Sequence, residues 1–110
     1  MKLYLDTSTE TTILKLDDFE YKWQSGHDLA ENLLSFIRDK LALHHKTFQD
    51  ISEITFMSGP GSFTGLRIGA TVVNTLASEL NIPLKNHKNE LVKLILPDYG
   101  RGAHISKPQK

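Results

Sequence analysis

Three parts of the 110-residue chain carry residue types that could do chemistry. They are the hydroxyl-rich turn Asp6-Thr-Ser-Thr-Glu10, the glycine-rich stretch Ser58-Gly-Pro-Gly-Ser-Phe-Thr-Gly-Leu-Arg-Ile-Gly69, and five histidines. Glycine-rich loops ahead of helices often cradle phosphates, because free amides and the helix dipole both favour an anion. The spacing argues against that use here. A Walker loop needs Gly-Lys after a glycine and four intervening residues, whereas the fifth residue after Gly59 is Thr64 and the fifth after Gly61 is Leu66. The dinucleotide pattern fails by one position, since its third glycine falls at Gly65 instead of position 64. Arg67 could meet an anion, although a lone arginine in a first helical turn is more often solvated or ion-paired. Asp6, Thr7 and Ser8 are the other candidate anion or phosphate contact. Their favoured reading is structural, with the Asp6 carboxylate satisfying nearby amides, and no second acidic cluster is placed to complete a magnesium site. His44 and His45 are adjacent, so on a helix they point about 100 degrees apart and do not converge on one ion. His27, His87 and His104 stand alone, and nothing brings any of them near a particular serine or aspartate. We expect no catalytic residue, no metal and no cofactor.

The elements that position these residues follow from periodicity. Leu3, Tyr4 and Leu5 form a strand, Ile13, Leu14 and Leu16 a second, and Phe19, Tyr21 and Trp23 alternate with polar residues as a half-buried third. A helix is predicted from Asp28 to about Leu43, with Asp28 as N-cap and Glu31 completing a capping box. Ile54 to Met57 reads as a buried strand, and a second helix runs from near Thr64 to Leu80, stopped by Asn81 and Pro83. Leu84 to His87 gives a last short strand, for an order βββαβαβ. Leu91 to Leu96 is a short apolar stretch, and Pro97 to Lys110 reads as an extended, exposed tail.

In the glycine-rich stretch, Gly59 and Gly61 allow backbone angles closed to other residues, Pro60 fixes the turn between them, and Ser62 or Thr64 can cap the helix that follows. A rigid strand-to-helix elbow results. Gly65 and Gly69 lie one turn apart, where another backbone can approach closely; packing on the chain's own sheet is favoured over contact with a partner. The first helix spreads Phe36, Leu29, Leu33, Ile37, Ala30, Leu41 and Leu34 over about half its circumference, wider than the roughly 100-degree stripe that a core-facing helix needs. On the second helix Thr71, Asn74, Thr75 and Ser78 make a small, neutral outer side, where a solvated face usually carries more charge.

Lys plus Arg and Asp plus Glu both number 13, so the positive surplus that supplies most nucleic-acid affinity is missing. Direct, tight nucleic-acid binding is not expected. The chain has no cysteine, which excludes disulfides and thiolate catalysis and fits a reducing compartment. Met1 to Asp6 turns polar too soon for a signal peptide, and no apolar run approaches the roughly 20 residues that cross a bilayer. The expected location is cytoplasmic, away from membranes.

Gly59-Pro-Gly-Ser-Phe-Thr-Gly65, followed by Arg67-Ile-Gly69, resembles the signature of the TsaB (YeaZ) family, in which this long pattern is characteristic. The resemblance covers Met1 to about Leu84 and implies a ribonuclease-H-like lobe of the actin, sugar-kinase and heat-shock-chaperone superfamily. It implies residues 1–88 as the first lobe and 89–110 as a C-terminal segment and tail, with a second lobe absent; Pro97-Asp-Tyr-Gly-Arg101 resembles the ending that follows that lobe in the family. It also implies a non-enzymatic accessory subunit that binds a TsaD-like threonylcarbamoyltransferase as a heterodimer in tRNA threonylcarbamoyladenosine modification, with a TsaE-like ATPase as a further partner and a homodimer when alone. Family members carry an Asp-Thr-Ser turn like Asp6 to Ser8 without being accepted as ATPases. The implied interface is the helix pair, here Leu29, Leu33, Phe36, Gly65, Gly69, Val72, Val73 and Leu76. The alternatives are a small nucleotide-binding enzyme of the same superfamily and a self-associating degenerate lobe.

Overall fold

Alternating apolar and polar residues over the first 24 positions build an antiparallel meander of β1 (Lys2–Asp6), β2 (Thr11–Leu16) and β3 (Phe19–Gln24). The β2–β3 turn places Asp17 in the left-handed region at φ 55°. Its carboxylate accepts the Lys2 amide at 2.8 Å while its own amide donates to the Lys2 carbonyl at 2.9 Å, which pins the hairpin to the start of β1. The structure, a computed structural model, describes residues 1–98. The expectations for the tail beyond Asp98, and for His104, lie outside these residues.

After β3 come α1 (Leu29–Leu43), β4 (Glu53–Phe56), α2 (Phe63–Leu80), β5 (Leu84–Lys85) and β6 (Leu91–Val92). They complete a six-stranded mixed sheet ordered β3-β2-β1-β4-β5-β6. Strands β1, β4 and β5 run parallel, and β2, β3 and β6 are antiparallel to their neighbours. Leu3, Leu5, Leu14, Leu16, Ile54, Phe56 and Leu84 share one face through this register and are buried. Both helices pack there, through Leu29, Leu33, Ile37 and Leu41 of α1 and Leu66, Ala70, Val73 and Ala77 of α2. Each fully buried leucine stabilises the fold by about 1.5–3 kcal/mol. The other sheet face carries the salt bridges Lys15–Glu20, Lys22–Glu20 and Lys85–Glu53, as a sheet covered on one side only requires. Among the described residues no helix is long and apolar enough to cross a membrane.

Two details differ from the sequence reading. Asp28 makes no side-chain cap, because it ends a 3-10 turn (Gly26–Asp28) with helical backbone angles, φ −89° and ψ 0°, where a capping residue needs an extended conformation. The capping box forms instead at Thr47 and Asp50, on a second 3-10 turn (Phe48–Asp50). There the Thr47 amide donates to the Asp50 carboxylate at 2.8 Å, and this bond holds that carboxyl below its usual range. The strand order also gains β6. The Asn86 side-chain oxygen accepts the amides of Lys88 at 2.9 Å and Glu90 at 3.0 Å, and Asn89 turns left-handed at φ 62°, so the chain folds back along β5.

The segment after β6 is fastened to α2 by one side chain. Asn74 accepts the Ile95 amide at 2.7 Å and donates to the Ile95 carbonyl at 3.2 Å, and Ile95 itself is buried. Asn74→Ala leaves two backbone groups without their partner, so a loss of about 1–3 kcal/mol in urea-unfolding stability is expected. Limited proteolysis between residues 90 and 98 should become faster in the same variant, and an unchanged unfolding midpoint would show that Asn74 does not hold this segment.

Candidate functional site

The glycine-rich stretch forms the elbow between β4 and α2, and the structure seats that elbow on the turn between β1 and β2. Ser62 caps α2 by accepting the Gly65 amide at 3.2 Å, while Thr64 lies exposed within the helix. The Ser62 amide donates to the Ser8 carbonyl at 2.7 Å, and the buried Thr7 hydroxyl donates to the Gly65 carbonyl at 2.7 Å. A β-carbon at Gly61 would strike Ser8, one at Gly65 the Thr7 carbonyl, and one at Gly69 the Thr7 hydroxyl and the Phe56 ring. Gly59 follows the same logic at φ 128°, with the Asp98 backbone filling the space where its side chain would stand. The peptide bond from Gly59 to Pro60 is cis, and Pro60 is exposed at the tip of the turn. The close approach at Gly65 and Gly69 is therefore internal packing.

The three residues of the candidate anion contact are committed to this junction. Asp6 accepts the Ser8 amide at 2.8 Å and the Ser8 hydroxyl at 2.6 Å, which closes the turn on itself. Burial first, and then the charges of Asp6 and Glu20, push the Tyr4 phenol above its ordinary range. The negative field of Asp6 opposes an anion beside the turn. A cavity of about 510 Å³ does open between the turn and the first turns of both helices, bordered by Thr9, Glu10, Ser25, His27 and Thr64. Its one carboxylate, Glu10, again disfavours a phosphate.

The residues expected at a partner interface divide into two groups. Leu29, Leu33 and Val73 are buried beneath the helices, as are Gly65 and Gly69. These five lie in or against the chain's own core, and Leu29 and Gly65 also border the cavity beside Glu10. Phe36, Val72 and Leu76 are half-buried. Phe36 stacks on Trp23 of β3 with ring centroids 4.9 Å apart, which accounts for much of the apolar width of α1. What remains open is a groove between the helices, bordered by Ala30, Phe63, Thr64, Arg67, Ile68, Thr71 and Val72 and enclosing about 420 Å³. The Arg67 guanidinium lies 5.5 Å from the Phe63 ring centre, at one end of this groove.

Among the described residues no cluster of three or more His, Asp or Glu side chains could hold a metal. His44 hydrogen-bonds the Tyr21 hydroxyl at 2.6 Å and packs on Phe19, while His45 turns away in a left-handed conformation. One polar pair escaped the sequence reading, which found no serine beside a histidine. The Ser58 hydroxyl is hydrogen-bonded to Nδ1 of His87. They are 29 residues apart, and only the parallel pairing of β4 with β5 brings them together.

Comparison with known proteins gives a consistent result. Residues 24–87 match the family model described as TsaD: tRNA N6-adenosine threonylcarbamoyltransferase. The tRNA threonylcarbamoyladenosine biosynthesis protein TsaB of Haemophilus influenzae is 34% identical over 89 residues, covering 74% of this chain and 36% of that protein. TsaB of Escherichia coli is 28% identical over 92 residues, covering 74% and 37%. TsaB of Bacillus subtilis is 56% identical over 36 residues, covering 33% of this chain and 16% of its own. The solved structure of YeaZ from Pseudomonas aeruginosa superposes with a TM-score of 0.68 at 34% identity, covering 77% of this chain and 42% of that one. The chain thus spans well under half the length of these relatives.

The glycine packing makes a sharp contrast between neighbours. Gly65→Ala drives a methyl into the Thr7 carbonyl and should cost about 1–3 kcal/mol through overpacking. Thr64→Ala, one residue away on the exposed side, should change stability by less than about 0.5 kcal/mol. Thermal or urea unfolding of the two variants checks this, and equal effects would rule out the close contact.

Proposed function

Since the chain belongs to the TsaB/YeaZ family, we propose that it serves tRNA threonylcarbamoyladenosine biosynthesis as a non-catalytic subunit that binds a TsaD-like transferase. Residues 1–88 act as the docking lobe, of ribonuclease-H-like fold, and the body of the complex forms in the cytoplasm. The observation that carries this reading is the groove between α1 and α2. Its walls are Ala30 on one helix and Ile68, Thr71 and Val72 on the other, small or apolar residues with Arg67 as the one charge among those bordering it. Two helices of a partner can approach such a surface closely, and little charge has to be desolvated when they do. The polar groups of the elbow are spent on the fold, which supports a scaffolding role over a chemical one. Without the transferase, the same face pairs with a second copy of the chain.

The test uses the cognate TsaD, size-exclusion chromatography with light scattering, and charge placed on exposed groove positions. Thr71→Glu and Ala30→Glu should weaken a stoichiometric complex at least tenfold, equivalent to about 1.4 kcal/mol. Lys15→Glu, on the opposite face of the sheet, should bind normally. Absence of any complex with a folded chain, or equal binding by all three variants, would defeat the assignment.

A further inference from the structure

We propose that the open edge of β3 pairs with the β3 edge of a second copy of the chain, joining two sheets antiparallel about a two-fold axis at Tyr21. The two ends of the sheet differ. Strand β6 has two residues, whereas β3 has six, with no proline and an unbroken register against β2, so neither short length nor a bulge blunts its edge. Among the described residues no strand lies beyond β3. The Ser25 amide donates to the Glu10 carbonyl at 3.0 Å, and antiparallel bonding alternates along a strand. Phe19, Tyr21 and Trp23 therefore turn their backbone groups to β2, and Glu20, Lys22 and Gln24 turn theirs outward.

One two-fold register satisfies both the backbone and the charges. A centre between two residues would set an outward backbone against an inward one. A centre at Lys22 brings two lysines face to face, one at Glu20 two glutamates, and one at Phe19 sets Glu20 against Asp18, all unfavourable. A centre at Trp23 or Gln24 runs the pairing into the 3-10 turn at Gly26–Asp28. A centre at Tyr21 sets Glu20 opposite Lys22 of the second copy, and Lys22 opposite its Glu20. These are hydrogen-bonded pairs, about four main-chain bonds in all. Their side chains are exposed and already reach each other at 3.7 Å within one chain, and each gains an opposite charge across the axis. On the helix side of the sheet the exposed Phe19 ring falls opposite Trp23 of the second copy, an aromatic pair at the closer, non-bonded spacing. The helix groove stays open in this dimer, because α1 meets β3 through Phe36 and Lys40 and borders the groove through Ala30.

The test starts from the full chain carrying Thr71→Glu, which places a charge in the groove and removes self-pairing there. Light scattering over a range of concentrations should give the mass of a dimer. Lys22→Glu or Glu20→Lys, added singly, should weaken self-association about tenfold, since each sets like charges across the axis. An equal mixture of the two should dimerise again, because an edge with two glutamates then meets an edge with two lysines. Circular dichroism reports that each variant is folded. A monomer at every concentration in the starting chain, single variants that associate as it does, or a mixture no tighter than either variant alone would overturn the pairing. No transferase is present, so these outcomes are independent of what docks in the groove.

Discussion

Helix α2 can lie on the turn between β1 and β2 only because positions 61, 65 and 69 carry no β-carbon. Each of these glycines faces Ser8, Thr7 or the Phe56 ring at a distance no other residue allows. The approach brings the Thr7 hydroxyl within reach of the Gly65 carbonyl and the Ser62 amide within reach of the Ser8 carbonyl. These two hydrogen bonds, the one from Thr7 buried, then set where α2 begins and which way it leaves the sheet. The placement of the outer groove, of α1 beside α2, and of the segment that Asn74 fastens all descend from that seating. The cost of a methyl group at any of the three positions is therefore felt at the opposite side of the helix.

The same junction explains why a glycine-rich loop before a helix need not be a phosphate site. Such a site requires amides that point into open space. Here the Ser62 and Gly65 amides and the Ser8 amide are already satisfied within the chain. The glycines serve contact between backbones, and the fixed negative charge beside the turn comes from Asp6, which works against an anion.

Local patterns made most of the fold legible. The alternation of Phe19, Tyr21 and Trp23 located β3, and the punctuation by Asn81 and Pro83 located the end of α2 within a residue. Features that depended on distant partners were harder. The capping reading at Asp28 failed because the 3-10 turn before it fixed the backbone angles, and residue type alone does not show that. The strand β6 has only two residues, and its signal was in the turn chemistry of Asn86 and Asn89 rather than in periodicity. The wide apolar face of α1 was read correctly as needing cover, but much of that cover is Trp23, supplied from within the chain. The Ser58 and His87 pair was invisible because two residues on adjacent parallel strands have no fixed separation in sequence.

That pair and the helix groove illustrate how one topology can keep two surfaces apart. Parallel strands β1, β4 and β5 deliver the residues that follow them to a single edge of the sheet, so Thr7, Ser58 and His87 gather there whatever the helices do. The groove is built from the outer sides of α1 and α2, whose inner sides are occupied by the core. Gly65 and Gly69 belong to neither surface, since they face the sheet. Substitutions on the outside of α2 can then alter what docks there without disturbing the strand ends, provided the glycine side of the helix keeps its contact with Thr7.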